Sequence, residues 1–345
     1  MSAPAPLLDV RELAVSFSTE EGVVGAVDRV SFELNAGEVL AVVGESGSGK
    51  SVTATTLMGL TRGPNATISG TATFEGTELV AAGDEELRRL RGNRMAMIFQ
   101  DPMSSLDPVY RVVDQIVEQI RAHRDVSSQE ARERAIELLD AVGIPEAAKR
   151  ADSYPHEFSG GMRQRVMIAM ALSLEPALLI ADEPTTALDV TVQAQIIDLL
   201  RSLNERRGLS ILLITHDIGV VAEIADRVAV MYGGRIVEYG TLDEIFYEPQ
   251  HPYTWGLLNS LTRIDRPRPK RLPQIPGMPP SLLAPPRGCH FRPRCPHAFD
   301  HCTEVPELSA RLVDSPAHLD RCWLEPERKR ELRAADGRDA LEQPR

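Results

Sequence analysis

The sequence predicts an α/β fold built on a largely parallel sheet, and three observations predict it. Val39-Leu-Ala-Val-Val43, Ala177-Leu-Leu-Ile-Ala-Asp-Glu183 and Ser210-Ile-Leu-Leu-Ile-Thr-His216 are short apolar runs without alternation, the pattern of strands buried on both faces. Each run hands over to glycine or polar residues, as strands do at the C-terminal edge where parallel sheets bind ligands. The chain has 345 residues, 43% of them hydrophobic, which is enough for one large core and a smaller module.

The first run leads into Gly44-Glu-Ser-Gly-Ser-Gly-Lys-Ser51, a match to the G-x-x-x-x-G-K-[ST] phosphate-binding loop. Residues 52–60, starting at Val52, have the composition of a helix start, so strand, loop and helix follow in the order the motif requires. Gly44, Gly47 and Gly49 let backbone N–H groups converge on a phosphate where a Cβ would crowd it, and the helix N-terminus adds partial positive charge. Glu45, Ser46 and Ser48 complete the loop. Lys50 can reach the β- and γ-phosphates of a nucleotide, and the Ser51 hydroxyl can ligate Mg²⁺.

The second run delivers two adjacent carboxylates. Asp182 suits the Mg²⁺ shell, and Glu183 suits the acceptance of a proton from an attacking water. The third run ends in His216, which can hydrogen-bond a γ-phosphate.

Between the first two runs stands Phe158-Ser-Gly-Gly-Met-Arg-Gln-Arg165, a glycine pair opening a helix expected over residues 162–174. On these residues together the chain resembles the nucleotide-binding subunit of an ATP-binding cassette (ABC) transporter. The resemblance implies a phosphate-loop ATPase core with an antiparallel β subdomain and an inserted helical subdomain, and ATP and Mg²⁺ as ligands. It also implies head-to-tail pairing of two such subunits, so that Ser159, Gly160, Gly161 and Met162 act on the partner's nucleotide. By the same matching Gln100 is the glutamine that senses Mg²⁺ and water, Asp189 lies at the dimer seam, and Phe17 stacks on adenine. The stretch after Phe17, residues 18–25, is expected to be a long loop.

Two departures from the family pattern narrow the resemblance. Phe158 replaces a leucine and Met162 a glutamine, and the run from Ser159 to Met170 is similar to the first of the two ATPase subunits of di- and oligopeptide importers. This implies a heterodimer with a second ATPase, two transmembrane permease subunits and an extracytoplasmic peptide-binding protein. Nickel and glutathione importers share this ATPase type and stay open as alternatives. So does a soluble ABC ATPase, although a second phosphate loop or long coiled-coil insertion is lacking.

Composition agrees with a peripheral protein on the cytoplasmic face of the membrane. No apolar run approaches the length needed to span a bilayer, and residues 1–6 do not read as a signal peptide. The formal net charge of −12 disfavours nucleic acid as a partner.

Along the chain, residues 7–85 read as strands plus the phosphate-loop helix. Helical patterns follow at 85–91, 112–121 and 128–142. The expected division is an ATPase domain over 1–260, with its helical subdomain at about 101–174, an extension over 261–330 and a disordered tail over 331–345. The charged stretch 325–345 is expected to be poorly ordered as a whole. Residues 101–108, rich in Pro and Ser, read as a loop that the resemblance places against the membrane subunit, so Gln100 would connect ATP state with transport.

His251-Pro-Tyr-Thr254 resembles the opening of the C-terminal extension of peptide-importer ATPases, and Pro- and Arg-rich sequence follows it. All four cysteines, Cys289, Cys295, Cys302 and Cys322, lie in this extension. Four gathered thiolates suit a 4Fe-4S cluster or Zn²⁺. No Cys-x₂₋₄-Cys knuckle is present, which favours the larger cluster over zinc. His290, His297 and His301 could join a mixed ligand set, and free core thiols are the third alternative.

Overall fold

The computed structural model describes residues 5–100, 105–186, 188–260 and 274–335. The strands, in chain order, are β1 (Leu8–Thr19), β2 (Gly22–Leu34), β3 (Val39–Val43), β4 (Ala66–Phe74), β5 (Thr77–Glu78), β6 (Met95–Ile98), β7 (Leu178–Asp182), β8 (Ser210–Thr215), β9 (Arg227–Tyr232), β10 (Arg235–Thr241), β11 (Ser309–Ala310) and β12 (Leu319–Asp320). The chain divides into two compact units made of interleaved segments. One draws on Leu34–Val39 and Glu75–Ile214, the other on Leu8–Glu33, Leu40–Phe74 and Thr215–Arg345.

In the first unit β6, β7 and β8 pair in parallel, with Met95 opposite Leu178 and Leu178 opposite Ser210. Every residue of β7 and β8 is buried, which is why these strands read as unbroken apolar runs. The helices Val112–His123, Ser128–Ala141 and Gly160–Ala171 pack on one another. Val112, Val113, Ile116 and Ile120 fall on one helical face and are buried, while the second helix starts at a capping box between Ser127 and Glu130.

In the second unit β1 pairs antiparallel with β4, from Leu8 opposite Phe74 to Phe17 opposite Ala66. β3 pairs in parallel with β9, and β9, β10, β12 and β11 continue antiparallel. The extension therefore adds strands to the sheet edge. Its Phe291 is also buried in the same core as Val43, Val230, Tyr232 and Tyr253.

Two local expectations are corrected. Residues 18–25 form no long loop: β1 runs to Thr19 and β2 starts at Gly22, with the Thr19 hydroxyl donating to the Gly22 carbonyl across a tight turn. Part of the charged C-terminal stretch is the helix Pro326–Ala335, anchored because Lys329 is wholly buried and donates to Asp320 (2.7 Å). Residues 101–104, 261–273 and 336–345 lie outside the described residues, so the expected Pro-Ser loop is described only from Ser105 on and the Pro-Arg run at 266–271 not at all. No described helix is long and apolar enough to cross a membrane.

Glu238 of β10 is fully buried, and a buried carboxylate persists only where its lone pairs are met. It accepts from the Gln250 N–H (2.5 Å), the His251 N–H (2.9 Å) and His318 Nε2 (2.8 Å). Burial alone would raise its pKa, but the hydrogen bond and charge of His318 hold it below the usual carboxylate value. Burial alone would lower His318, and Glu238 raises it above the usual histidine value. The sign of the linkage follows. Glu238 contributes stability above its ordinary 4.5 that is lost as pH falls, and His318 contributes stability below its ordinary 6.5 that is lost as pH rises. The His318→Ala variant should therefore lose about 3 kcal/mol of stability. In denaturation curves taken across pH, its deficit should be largest between those two values and shrink on either side.

Candidate functional site

In the second unit the phosphate loop connects β3 to the helix Lys50–Leu57. Two of its glycines are required by sterics. A Cβ on Gly44 would overlap the Met231 carbonyl oxygen, and one on Gly49 would overlap the Ala26 carbonyl oxygen. Gly49 also has φ +103° and Gly47 has φ +76°, both in the region that favours glycine. Ser46 and Gly47 are exposed at the loop's tip, Ser51 is exposed on the first helical turn, and Val52 is half-buried. Lys50 is buried, its ammonium donating to the carbonyls of Gly44 (2.7 Å) and Glu45 (3.1 Å). The Ser48 hydroxyl is buried with no hydrogen-bond partner among the described residues. An orphaned hydroxyl and convergent amides at a helix N-terminus fit an anionic phosphate group. Phe17 is half-buried near the end of β1, and His216 is exposed just after β8, ahead of the helix Ile218–Ile224 that Asp217 caps.

In the first unit Asp182 is buried as the last residue of β7. Glu183 follows with φ +49°, a strained backbone for a non-glycine residue, while its N–H donates to the Ile214 carbonyl (2.8 Å). Its carboxylate accepts from Gln100 Nε2 (3.0 Å) and from the Thr186 hydroxyl (2.8 Å). Two of the predicted residues, Gln100 and Glu183, are thus in direct contact. Thr186 was not foreseen, and its place three residues after Glu183 in a turn is the only sequence signal that pointed to it.

The signature segment opens the helix Gly160–Ala171 in the same unit. Ser159 caps it, accepting from the Met162 N–H (3.4 Å), and Ser159 and Gly160 are exposed. Phe158 is buried, so an apolar residue there serves the core. A Cβ on Gly161 would collide with Val192, so this glycine lets the signature helix lie close to the helix Val190–Arg207. Asp189 is exposed and caps that second helix by accepting from the Val192 N–H (3.0 Å). Met162 is half-buried.

The His-Pro-Tyr segment has a physical account. His251 Nδ1 accepts from the Tyr253 N–H (3.1 Å) and so caps the helix Pro252–Asn259, and Pro252 occupies a first-turn position where no N–H is needed. Burial lowers the His251 pKa to about 3, which keeps the ring neutral and able to accept. The Tyr253 hydroxyl in turn accepts from the Glu45 N–H of the phosphate loop (2.9 Å). Arg294 of the extension pairs with the Glu45 carboxylate (2.7 Å). Neither partner of Glu45 was foreseen, since sequence separations of 208 and 249 leave no local signal.

The four predicted cysteines come together, without forming the metal centre expected of them. All four cysteines line one cavity of about 20 Å³, together with Phe291, Phe299, Trp323 and Leu324. Among the described residues, however, no group of three or more His, Cys, Asp or Glu is drawn together so as to hold a metal ion. None of the four is in a disulfide, and burial raises the Cys289 pKa and pushes Cys322 up to about 12. His290 Nδ1 is engaged with the Gly233 carbonyl (2.7 Å), and His301 stacks on Trp323 with ring centroids 4.1 Å apart.

Residues 27–186 match the family described as ABC transporter, and residues 237–302 match the oligopeptide/dipeptide transporter C-terminal region. The oligopeptide transport ATP-binding protein OppD of Salmonella typhimurium is 54% identical over 324 residues, covering 93% of this chain and 95% of that protein. The chain belongs to the ATP-binding subunits of ABC transporters. The dipeptide transport ATP-binding protein DppD of Bacillus subtilis is 49% identical over 323 residues, covering 93% and 96%. Among solved structures, the dimeric post-hydrolysis state of the ATP-binding cassette MJ0796, bound to ADP and Pi, aligns with a TM-score of 0.62 and 27% identity. That alignment covers 68% of this chain and 98% of the cassette.

The loop geometry separates two glycines. Gly47→Ala meets only an unfavourable backbone, since nothing lies within 4 Å of its Cβ, and should cost about 1 kcal/mol. Gly49→Ala adds a collision with backbone and should cost about 3 kcal/mol, a difference that chemical denaturation of the two variants will measure.

Proposed function

We propose that this chain is the ATP-hydrolysing subunit of a multi-subunit importer of oligopeptides or dipeptides. The observation that carries this is the phosphate loop, with its sterically required glycines, buried lysine and orphaned serine hydroxyl, in a chain 54% identical over nearly its whole length to an oligopeptide transport ATP-binding protein. In this reading Lys50 and the loop amides of residues 44–52 bind the nucleotide's phosphates, and Phe17 stacks on adenine. Ser51, Gln100 and Asp182 hold Mg²⁺, which neutralises charge on the phosphates. Glu183 takes the proton of the attacking water, oriented by Gln100 and Thr186, and His216 contacts the γ-phosphate. Ser159, Gly160, Gly161 and Met162 serve a partner ATPase's nucleotide, and Asp189 lies at the seam between the two.

The partner is a distinct ATPase subunit, because Met162 removes a polar side chain from the surface offered to the partner's nucleotide. The assembly works at the cytoplasmic face of the membrane with two permease subunits and a peptide-binding protein, and residues 1–260 form the ATPase domain with the extension following. The four cysteines hold a 4Fe-4S cluster. What supports this is that they line one cavity whose described lining includes no carboxylate, a soft donor set. Iron and acid-labile sulfide in anaerobically purified protein should each approach about four per chain, and a colourless protein containing zinc would reject the cluster.

Glu183→Gln keeps the hydrogen-bonding shape and removes the base. Turnover in the assembled transporter should fall by at least about a hundredfold while ATP is still bound. Undiminished ATPase activity in that variant would reject the assignment of the base. Stimulation of wild-type turnover by a loaded peptide-binding protein tests the import function itself.

A further inference from the structure

Glu45, the second residue of the phosphate loop, is held at each of its polar groups, and two of the holds come from residues more than 200 positions away. Its N–H donates to the Tyr253 hydroxyl (2.9 Å), and its carbonyl accepts from Lys50 Nζ (3.1 Å) and from the Ser48 N–H (3.2 Å). Its carboxylate takes both arms of Arg294: Nη1 to Oε2 at 2.7 Å and Nη2 to Oε1 at 3.1 Å. The remaining donors of Arg294 are also used. Nε donates to the Pro276 carbonyl (2.9 Å), Nη2 to the Ile275 carbonyl (3.2 Å), and Nη1 to the Tyr232 hydroxyl (3.3 Å).

All five guanidinium N–H groups therefore have acceptors, and the side chain is only 6% exposed. This is a built site that lysine could not reproduce, because lysine lacks the planar fork. Tyr253 is as firmly placed: its ring packs on Tyr232 (centroids 4.5 Å apart) and on Phe291 (5.5 Å), and its N–H is tied to His251. The extension thus reaches the loop through a bidentate ion pair on one side of Glu45, and the helix that leads into it adds a hydroxyl on the other.

The charge balance gives these contacts a consequence beyond rigidity. Glu45 carries a carboxylate within the segment whose amides are to receive a polyanion, and an unpaired carboxylate there would repel phosphate. A bidentate arginine both cancels that charge and fixes where it sits.

We propose that Arg294 and Tyr253 are positioning residues of the phosphate loop: they hold Glu45 in place and neutralise it, so that affinity for the anionic nucleotide depends on the C-terminal extension. The proposal rests on the ATPase function proposed above and assigns the extension a part in it. With all five donors spent on protein acceptors, Arg294 has none to offer a nucleotide, so its removal should act on KM for MgATP and leave kcat nearly unchanged.

The test uses the full chain in the assembled transporter, with MgATP as the titrant. Arg294→Ala should raise KM for MgATP roughly tenfold, the equivalent of about 1.4 kcal/mol, with kcat altered less than about twofold. Adding Glu45→Gln to Arg294→Ala removes the exposed charge and should recover most of the lost affinity. A clip that served stability alone would lower the denaturation midpoint without that rescue. An unchanged KM in Arg294→Ala, or a double variant no better than the single, would overturn the proposal. If Arg294→Ala does not fold, Tyr253→Phe decides, since it deletes only the hydroxyl that receives the Glu45 N–H: a raised KM supports the proposal and an unchanged one overturns it. Wild-type turnover measured alongside keeps the two readings apart. Its absence would reject the ATPase function, whereas normal wild-type turnover with unaltered variants would reject the positioning role alone.

Discussion

The buried carboxylate of Glu238 governs how the C-terminal part of this chain is built. Its two oxygens receive the N–H groups of Gln250 and His251 and the ring of His318, two segments that would otherwise be free to sit elsewhere. Once His251 is placed, its ring nitrogen caps the helix that carries Tyr253, and Tyr253 then reaches the phosphate loop at Glu45. An ionised group with no access to water has to be matched completely, so Glu238 specifies its neighbours more narrowly than apolar packing would. The order β9, β10, β12, β11 places the rest of the extension on the same edge.

The functional residues are supported in two different ways. Around the phosphate loop the constraint is steric, because Gly44 and Gly49 lie against backbone carbonyls that admit no side chain. Around Glu183 the constraint is conformational and polar: a left-handed backbone directly after a buried strand, and a carboxylate aimed by Gln100 and Thr186. Strained backbone persists where the surroundings over-determine it, and a proton acceptor gains from being held in one orientation before its substrate arrives. The signature glycine Gly161 belongs to the first kind, since Val192 leaves no room for a Cβ.

Much of this was legible in the residues themselves. The buried strands announced themselves as unbroken apolar runs, and the helix Ser128–Ala141 was bounded by a capping serine before it and Gly143 after it. Where the reading failed, contacts that composition does not report decided. Residues 18–25 read as a long loop, yet only two residues leave the strands. Part of the charged C-terminal stretch, Pro326–Ala335, is a helix anchored by Lys329 on Asp320 in the interior. The four cysteines were rightly grouped, since they line one cavity, but spacing alone did not reveal the aromatic residues Phe291, Phe299 and Trp323 that line it with them.

By itself, the sequence determined the elements whose chemistry is local: the glycine loop on its helix, the carboxylates at a strand end, the signature glycines and the family to which they belong. These are legible because backbone conformation and hydrogen-bonding reach act over a few residues. The partners of Glu45 were decided by the tertiary structure alone. Arg294 and Tyr253 lie 249 and 208 residues from it, and only the folding of the extension onto the sheet brings a guanidinium and a phenol to the loop. An ion pair depends on distance in space, which residue spacing in a sequence does not encode.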